Sequence, residues 1–406
     1  MIKKITVSDL HIGMYVHDLN MGWISHPFAT NHFRINHDKD IAKIKSLGVK
    51  ELYIDMVKGD DIASAINHDT VDKHLEQELT RIATTPVEIR HKILVAEEML
   101  HAENVHSEAQ SAIKHIMADA RMGKQMNATQ VDKVVSKLTQ SILRNKDAVL
   151  SLDLIRHRDQ YTFEHSVSVA VLLIAFGTEL GLSEEKIHHL GMGGLLHDIG
   201  KTKIPDGILN KPGKLSDSEF GIVKNHVDYG VQILSGLQGL SSEAISITQQ
   251  HHERIDGSGY PNRLSGDQIS LFGQMAAIAD VYDAIASDRC YHRGEPPSSV
   301  LKKMLEWSKH HFDENLVHRF IHTVGIYPVG SLVQIEDGHL AVVIERGEKG
   351  LLYPVVRCIY DTHQKKHIKP YTLDLSTQAD ESSNRIISFE DPLKWGIRPF
   401  RYITAA

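Results

Sequence analysis

Cysteine is scarce in this chain of 406 residues: Cys290 and Cys358 lie far apart, with no C-x-x-C spacing. That excludes a disulfide framework and a cysteine-ligated zinc site, and it fits a reducing cytoplasm. Long apolar runs are also missing. The most apolar stretch, Val167 to Phe176, is far shorter than the roughly 20 residues needed to cross a bilayer, and Met1 to Asp9 lacks the continuous apolar core of a signal peptide. Basic residues are not in excess, since 45 Lys and Arg face 52 Asp and Glu for a net charge of -7. Binding to DNA by counterion displacement is therefore not expected, although metal ions or local cations can still hold a small anion inside a pocket. Internal repeats and low-complexity tracts are absent. The expectation is a soluble cytoplasmic protein with no DNA partner and no membrane span, long enough for two or three domains around a large core.

Histidine, by contrast, is abundant, with 27 in the chain. A lone histidine is usually a packed or surface residue, and His11, His17, His26, His32 and His37 have a spacing that suits no compact site. Two stretches differ. In His251-His252-Glu253-Arg254-Ile255-Asp256-Gly257-Ser258-Gly259-Tyr260-Pro261 a polar helix end runs straight into a loop. Successive helical residues are rotated by about 100°, so adjacent histidines can act together only at a helix end or a distortion. Gly257 and Gly259 permit positive φ or a close backbone approach, and Pro261 prevents the helix from continuing. In Leu195-Leu196-His197-Asp198-Ile199-Gly200-Lys201, His stands beside Asp at the end of an apolar run, with Gly200 expected as the left-handed residue that closes the helix.

Read in order, the chain begins with strands at Lys4–Val7, Met14–Leu19 and Glu51–Met56 and a helix at Asp38–Leu47, a small α+β module. Ile62 to Leu79 is polar and reads as a linker or an exposed helix. Two long helices are expected over Val87–Met122 and Asn127–Arg144, with apolar faces suited to a core, a homodimer seam or a coupling role. Helices then follow at Thr162–Leu180, Glu184–Ile199 (capped by Ser183), Ser216 through His226 to Leu234, Glu243–His252, Ser270–Ser287, Ser298–His310 and Glu314–Val324. After Gly325 the period changes to two, with strands at Leu332–Glu336, Leu340–Glu345 and Val355–Tyr360. The expected fold is mainly α, a helical bundle with a small α+β N-terminal domain and a β-rich C-terminal appendage. The expected boundaries are 1–86 for the N-terminal regulatory domain, 87–150 for a helical connector, 151–325 for the catalytic domain and 326–406 for the appendage.

The His-Asp and His-His dipeptides together with Gly259-Tyr260-Pro261 resemble the HD-GYP family, a branch of the HD phosphohydrolases that cleaves bacterial cyclic dinucleotides. The resemblance runs from about Asp153 to about Gly330, and the first module resembles the uncharacterised domain that often precedes HD-GYP domains, including those of Vibrio cyclic GMP-AMP phosphodiesterases. It implies an HD-superfamily bundle and two divalent metal ions, with Fe or Mn preferred over Zn or Ni. His165, His197, Asp198 and Asp280 would hold one ion and His226, His251 and His252 the other, with Asp198 bridging. Such a pair suits phosphodiester hydrolysis because it neutralises phosphate oxygens and acidifies water. Lys201 would face the scissile phosphate, while Tyr260 and Arg289 would belong to the substrate pocket. Asp283 is expected to support a ligand, with a structural salt bridge as the alternative for both Asp283 and Arg289. A third metal is not expected, because the position one turn before His165 is Tyr161, and Glu164 points away from His165's direction.

The resulting expectation is a metal-dependent phosphodiesterase that linearises 3′,3′-cyclic GMP-AMP or cyclic di-GMP to a 5′-phosphorylated product. Two rivals are a receptor that binds the dinucleotide without turning it over and a mononucleotide phosphohydrolase. The full ligand set weighs against the first, and the second leaves His252 and the Gly-Tyr-Pro loop unexplained. That loop would also serve as a contact for a signalling protein partner.

Overall fold

The structure, a computed structural model, describes residues 1–21, 32–85, 92–124, 126–155, 161–213, 215–287, 294–378 and 385–404. Its first unit is an antiparallel sheet of β1 (Ile2–Thr6), β2 (Tyr15–Asp18), β3 (Phe33–Arg34), β4 (Glu51–Asp55) and β5 (Ile66–Asn67), in the order β3-β2-β4-β1-β5. One helix, α1 (Asp38–Ser46), belongs to it. Ile5, Val16, Leu52 and Ile54 alternate onto one face and pack with Ile44 in a small core of their own.

The polar segment that follows is a helix, α2 (His68–Ala83), and it is not exposed all round. Leu75, Leu79, Ile82 and Ala83 recur at i, i+4, i+7 and i+8 and are buried in the main helical core, a stripe hidden by the polar residues between them. Next come α3 (Val95–Arg121) and α4 (Ala128–Ile155), whose apolar faces are buried within the chain. α3 starts later than the Val87 expected from sequence, and Pro86 to His91 lie outside the described residues. α4 continues past its expected end because Asn145 breaks and restarts it. That residue is non-helical (φ -156, ψ 104); its Oδ1 accepts from the Asp147 and Ala148 amides and its Nδ2 donates to the Ile93 carbonyl at 2.9 Å.

Helix α5 (Tyr161–Glu179) is apolar on every side over Val167–Phe176 and runs through the centre of the bundle. It packs against α3 and α4 and, of the helices that follow, α6 (Glu184–Leu196), α11 (Leu271–Ala286) and α13 (Glu314–Val324); between these in the chain come α7 (Asp206–Leu209), α8 (Asp217–Lys224), α9 (His226–Ser235), α10 (Ser242–Gln250) and α12 (Pro297–Trp307). Ser183 caps α6 and the Ser216–Glu219 capping box opens α8, as their spacing predicts. The single helix expected through His226 is split at Asn225, which leaves His226 as the first residue of α9.

A second antiparallel sheet closes the chain, built from β6 (Leu332–Ile335), β7 (His339–Glu345), β8 (Val355–Asp361), β9 (Lys366–Asp374) and β10 (Ile386–Glu390) in the order β10-β6-β7-β8-β9. β9 and β10 escape a sequence reading because they are the edges, and β9 is mostly exposed, so neither alternates cleanly. A short last helix, α14 (Phe400–Ile403), contributes Ile403 to a core that is continuous from α2 onward. The fold is therefore mainly α with two small sheets.

The first sheet is fastened to the bundle by buried charge. Lys4 of β1 pairs with Glu306 of α12 at 2.8 Å and with Glu51 at 2.5 Å. Glu306 also accepts from the Tyr53 hydroxyl (2.7 Å) and the Asn20 amide (3.0 Å), while the Trp307 indole donates to Asn20.

Candidate metal centre

The seven sequence-predicted ligands arrive from five helices or helix ends, the two dipeptides each sharing one, and the structure brings all seven together. His165 comes from the first turns of α5, His197 caps the C-terminus of α6, and Asp198 begins the 3-10 turn Ile199–Lys203. His226 opens α9, His251 caps α10 with His252 beside it, and Asp280 lies in α11. Their donor atoms fall into overlapping groups, each within 4.8 Å: His165, His197 and Asp280; His226, His251 and His252; and His197, Asp198 and His251. Asp198 stands between the first two. Its Oδ2 is 3.3 Å from His197 Nε2 and 3.7 Å from His165 Nε2, and its Oδ1 is 3.5 Å from His226 Nε2 and 3.9 Å from His251 Nε2.

The imidazoles are pre-oriented by their other nitrogens. Nδ1 of His197 donates to the Gly194 carbonyl (2.8 Å), that of His226 to Val223 (2.7 Å) and that of His251 to Thr248 (2.9 Å), which turns each Nε2 inward. His165 differs, because its Nδ1 is held by the Asp283 carboxylate at 2.7 Å. His197 Nε2 and Asp198 Oδ1 are buried yet have no hydrogen-bond partner among the described residues. Unsatisfied buried atoms are costly, and here an imidazole nitrogen and a carboxylate oxygen face the same space. This donor chemistry fits divalent metal ions.

The electrostatics agree with that reading. Burial pushes His226 down to about 4 and His251 to about 3, and it lowers His252 as well, so these rings are neutral and ready to act as ligands. Burial also opposes a charge on His165, but its hydrogen bonds to Asp280 and Asp283 outweigh that and raise it to about 9. The same carboxylates favour any cation beside its Nε2. Burial alone would raise Asp198 and Asp280, yet Lys201 and His197 hold Asp198 well below the usual carboxylate range, and His165 does the same for Asp280.

Beside the donors, the Gly-Tyr-Pro loop folds back on the end of α10. The Tyr260 amide donates to the His252 carbonyl at 3.1 Å, and the Tyr260–Pro261 peptide is cis. Gly257 has φ +77, and a Cβ on Gly259 would lie 2.6 Å from the His252 oxygen and 2.5 Å from Glu253 Cα. One glycine thus supplies the turn and the other the close approach. Gly200, expected to end α6 in the left-handed region, has another role. It lies in the 3-10 turn, and a Cβ there would sit 1.9 Å from the His226 carbonyl, so its task is to let that turn touch α9. Lys201 pairs with Asp198 Oδ2 at 2.5 Å, and the Tyr260 ring lies against His252 with centroids 4.6 Å apart. Arg289 lies outside the described residues, as does His26.

Sequence reasoning missed Glu253. Its buried carboxylate accepts the Asn262 (2.8 Å) and Leu264 (3.0 Å) amides and so pins the far side of the loop. A glutamate in a polar run carries no sign of such burial.

An HD domain matches residues 150–316, and a domain of unknown function (DUF3391) matches residues 2–131. The cyclic di-GMP phosphodiesterase PA4108 of Pseudomonas aeruginosa is 37% identical over 98% of this chain and 94% of its own length. The chain belongs to the HD-GYP phosphodiesterase family. Among other HD-GYP relatives, 3′3′-cGAMP-specific phosphodiesterase 2 of Vibrio cholerae is 38% identical over 43% of this chain and 34% of its own. A solved structure of Bd1817, an HD-GYP-type protein from Bdellovibrio bacteriovorus, aligns with 79% of this chain and 98% of that one at 18% identity and a TM-score of 0.46. No helix among the described residues of this HD-GYP protein is long and apolar enough to cross a membrane.

Proposed function

We propose that this protein is a metal-dependent phosphodiesterase that opens a 3′,3′-cyclic dinucleotide to its linear, 5′-phosphorylated form. The observation that carries this reading is the pair of imidazole groups with Asp198 between them. One ion would be held by His165, His197, Asp198 and Asp280 and the other by His226, His251 and His252. Bound divalent ions supply neutralisation of the phosphate oxygens and acidify water at neutral pH. Asp198 gives one oxygen to each side, Asp283 orients His165, and Lys201 sets a cation at the edge of the same carboxylate, where it would offset charge developing on the phosphate. In the net reaction the oxygen of water joins phosphorus, the bond from phosphorus to the 3′ oxygen breaks, and that oxygen leaves with a proton. A histidine-rich site with carboxylate oxygen suits Fe, Mn, Zn or Ni, with Fe or Mn the first choice.

Cyclic di-GMP is the first choice of substrate, because the relative similar along nearly the whole chain, its N-terminal domain included, is named for it. The cGAMP-specific Vibrio relative matches less than half of the chain. The test is incubation of the purified full-length protein and Mn²⁺ or Fe²⁺ with each cyclic dinucleotide, with products resolved by chromatography and metal measured by elemental analysis. Linear dinucleotide is expected to appear, and to stop appearing after chelation. A protein loaded with two metal equivalents that binds cyclic dinucleotide and leaves it intact would establish the receptor instead.

A further inference from the structure

A cyclic dinucleotide carries two phosphodiesters one nucleotide step apart, and only one can occupy the donor cluster at a time. The other needs its own cation in a protein whose net charge is -7. Around the cluster, Lys201 is engaged with Asp198, and Arg254 is half-buried with its guanidinium over the Phe312 ring at 5.2 Å. Lys224 and Arg263 differ, because neither has a carboxylate within 4 Å among the described residues. Lys224 is the last residue of α8, two positions before His226, so the α8–α9 joint that aims the imidazole also sets the lysine. Its ammonium lies 4.9 Å from the centroid of the Tyr260 ring and 4.8 Å from that of Phe220. Tyr260 in turn lies against His252, so Lys224 stands one aromatic ring away from the donor cluster. Arg263 follows the Gly-Tyr-Pro turn, three residues after the Tyr260 whose ring Lys224 covers. It holds φ +54, a left-handed conformation that a non-glycine residue adopts at a cost. Two cations at one loop, neither paired with a carboxylate, leave their charge available to an anion.

We propose that Lys224 and Arg263 form a second phosphate subsite that grips the non-scissile phosphodiester of the cyclic dinucleotide. The inference rests on the phosphodiesterase reading and adds to it the reason a macrocycle with two phosphates is preferred over a simple diester. Arg263 offers a planar fork to phosphate oxygens, and Lys224 a point charge.

The test compares the full-length, metal-loaded wild type with Lys224→Met, Lys224→Arg and Arg263→Gln on cyclic di-GMP and on bis(p-nitrophenyl) phosphate, which has a single phosphodiester. Loss of a charge-assisted contact is expected to raise KM for cyclic di-GMP about tenfold in Lys224→Met and Arg263→Gln. The loss on the small diester should be at least several-fold less, and Lys224→Arg should recover most of the affinity. Equal losses on both substrates, or an unchanged KM for cyclic di-GMP, would overturn the subsite while leaving the phosphodiesterase reading in place. A wild type that cleaves the small diester but no cyclic dinucleotide would overturn both.

Discussion

Three of the four imidazoles whose Nδ1 is anchored here lean on backbone carbonyls, and His165 alone leans on a carboxylate. A carbonyl fixes direction; the Asp283 carboxylate also adds negative charge to the ring and raises its basicity as a ligand. Replacing Asp283 by Asn keeps the volume and removes that charge. Metal affinity or activity is expected to fall by about 10- to 100-fold, with the fold intact because the neighbouring Ser287 hydroxyl can still donate to the amide oxygen. Competitive chelator titration together with kcat measures it. Wild-type affinity and rate in Asp283→Asn would reduce the aspartate to a packing role.

At the scale of elements, the site depends on how closely the 3-10 turn Ile199–Lys203 approaches α9. Gly200 and Gly230 meet there, and a Cβ on Gly200 would be 2.5 Å from the Gly230 nitrogen as well as within bonding distance of the His226 oxygen. Both obstacles are backbone, so a small rotation of a side chain cannot relieve them. Gly200→Ala is expected to cost about 1–3 kcal/mol or more and to push His226 away from Asp198, lowering both the melting temperature and the metal stoichiometry. Gly207→Ala is the control, since nothing lies within 4 Å of a Cβ there. If calorimetry and elemental analysis find the two variants alike, the contact between the turn and α9 does not position the histidine.

For the whole molecule, the two cores raise the question of how the first sheet speaks to the centre. We propose that the N-terminal domain is dispensable for chemistry and sets its rate, through α12. That helix receives Lys4, Tyr53 and Asn20 on Glu306, and it follows α11, which carries Asp280 and Asp283. Glu306→Ala leaves Lys4 buried without its closest partner in the bundle. Glu51 still pairs Lys4 at 2.5 Å, so the loss should be smaller than the roughly 3–5 kcal/mol of stranding a buried charge, and it should fall on the docking of the sheet more than on the helical core. Hydrogen exchange should therefore quicken in β1 and β4 while α5 and α6 stay protected, with a changed turnover rate. Uniformly faster exchange through both units would show that they unfold together and that the joint is no separate coupling point.

The sequence by itself determined the pieces that obey local rules. The capping box at Ser216, the cap at Ser183, the apolar α5 and the inner strands of both sheets follow from spacing and side-chain chemistry. The His-Asp and His-His dipeptides were legible from the residues, since adjacent histidines make sense only at a helix end, and the resemblance to the HD-GYP family implied the other three candidate ligands, His165, His226 and Asp280. Tertiary structure decided whatever depends on what lies across a gap. Asp198's place between two imidazole groups, the carboxylate behind His165, Glu253's hold on the loop and the use of Gly200 for contact with α9 all join residues distant in the chain. α2 reads as exposed until the bundle covers its stripe, and β9 and β10 reveal themselves only through the strands they pair with. Local propensity records the cost of a backbone conformation, whereas burial and electrostatic partnership exist only once the chain has folded back on itself.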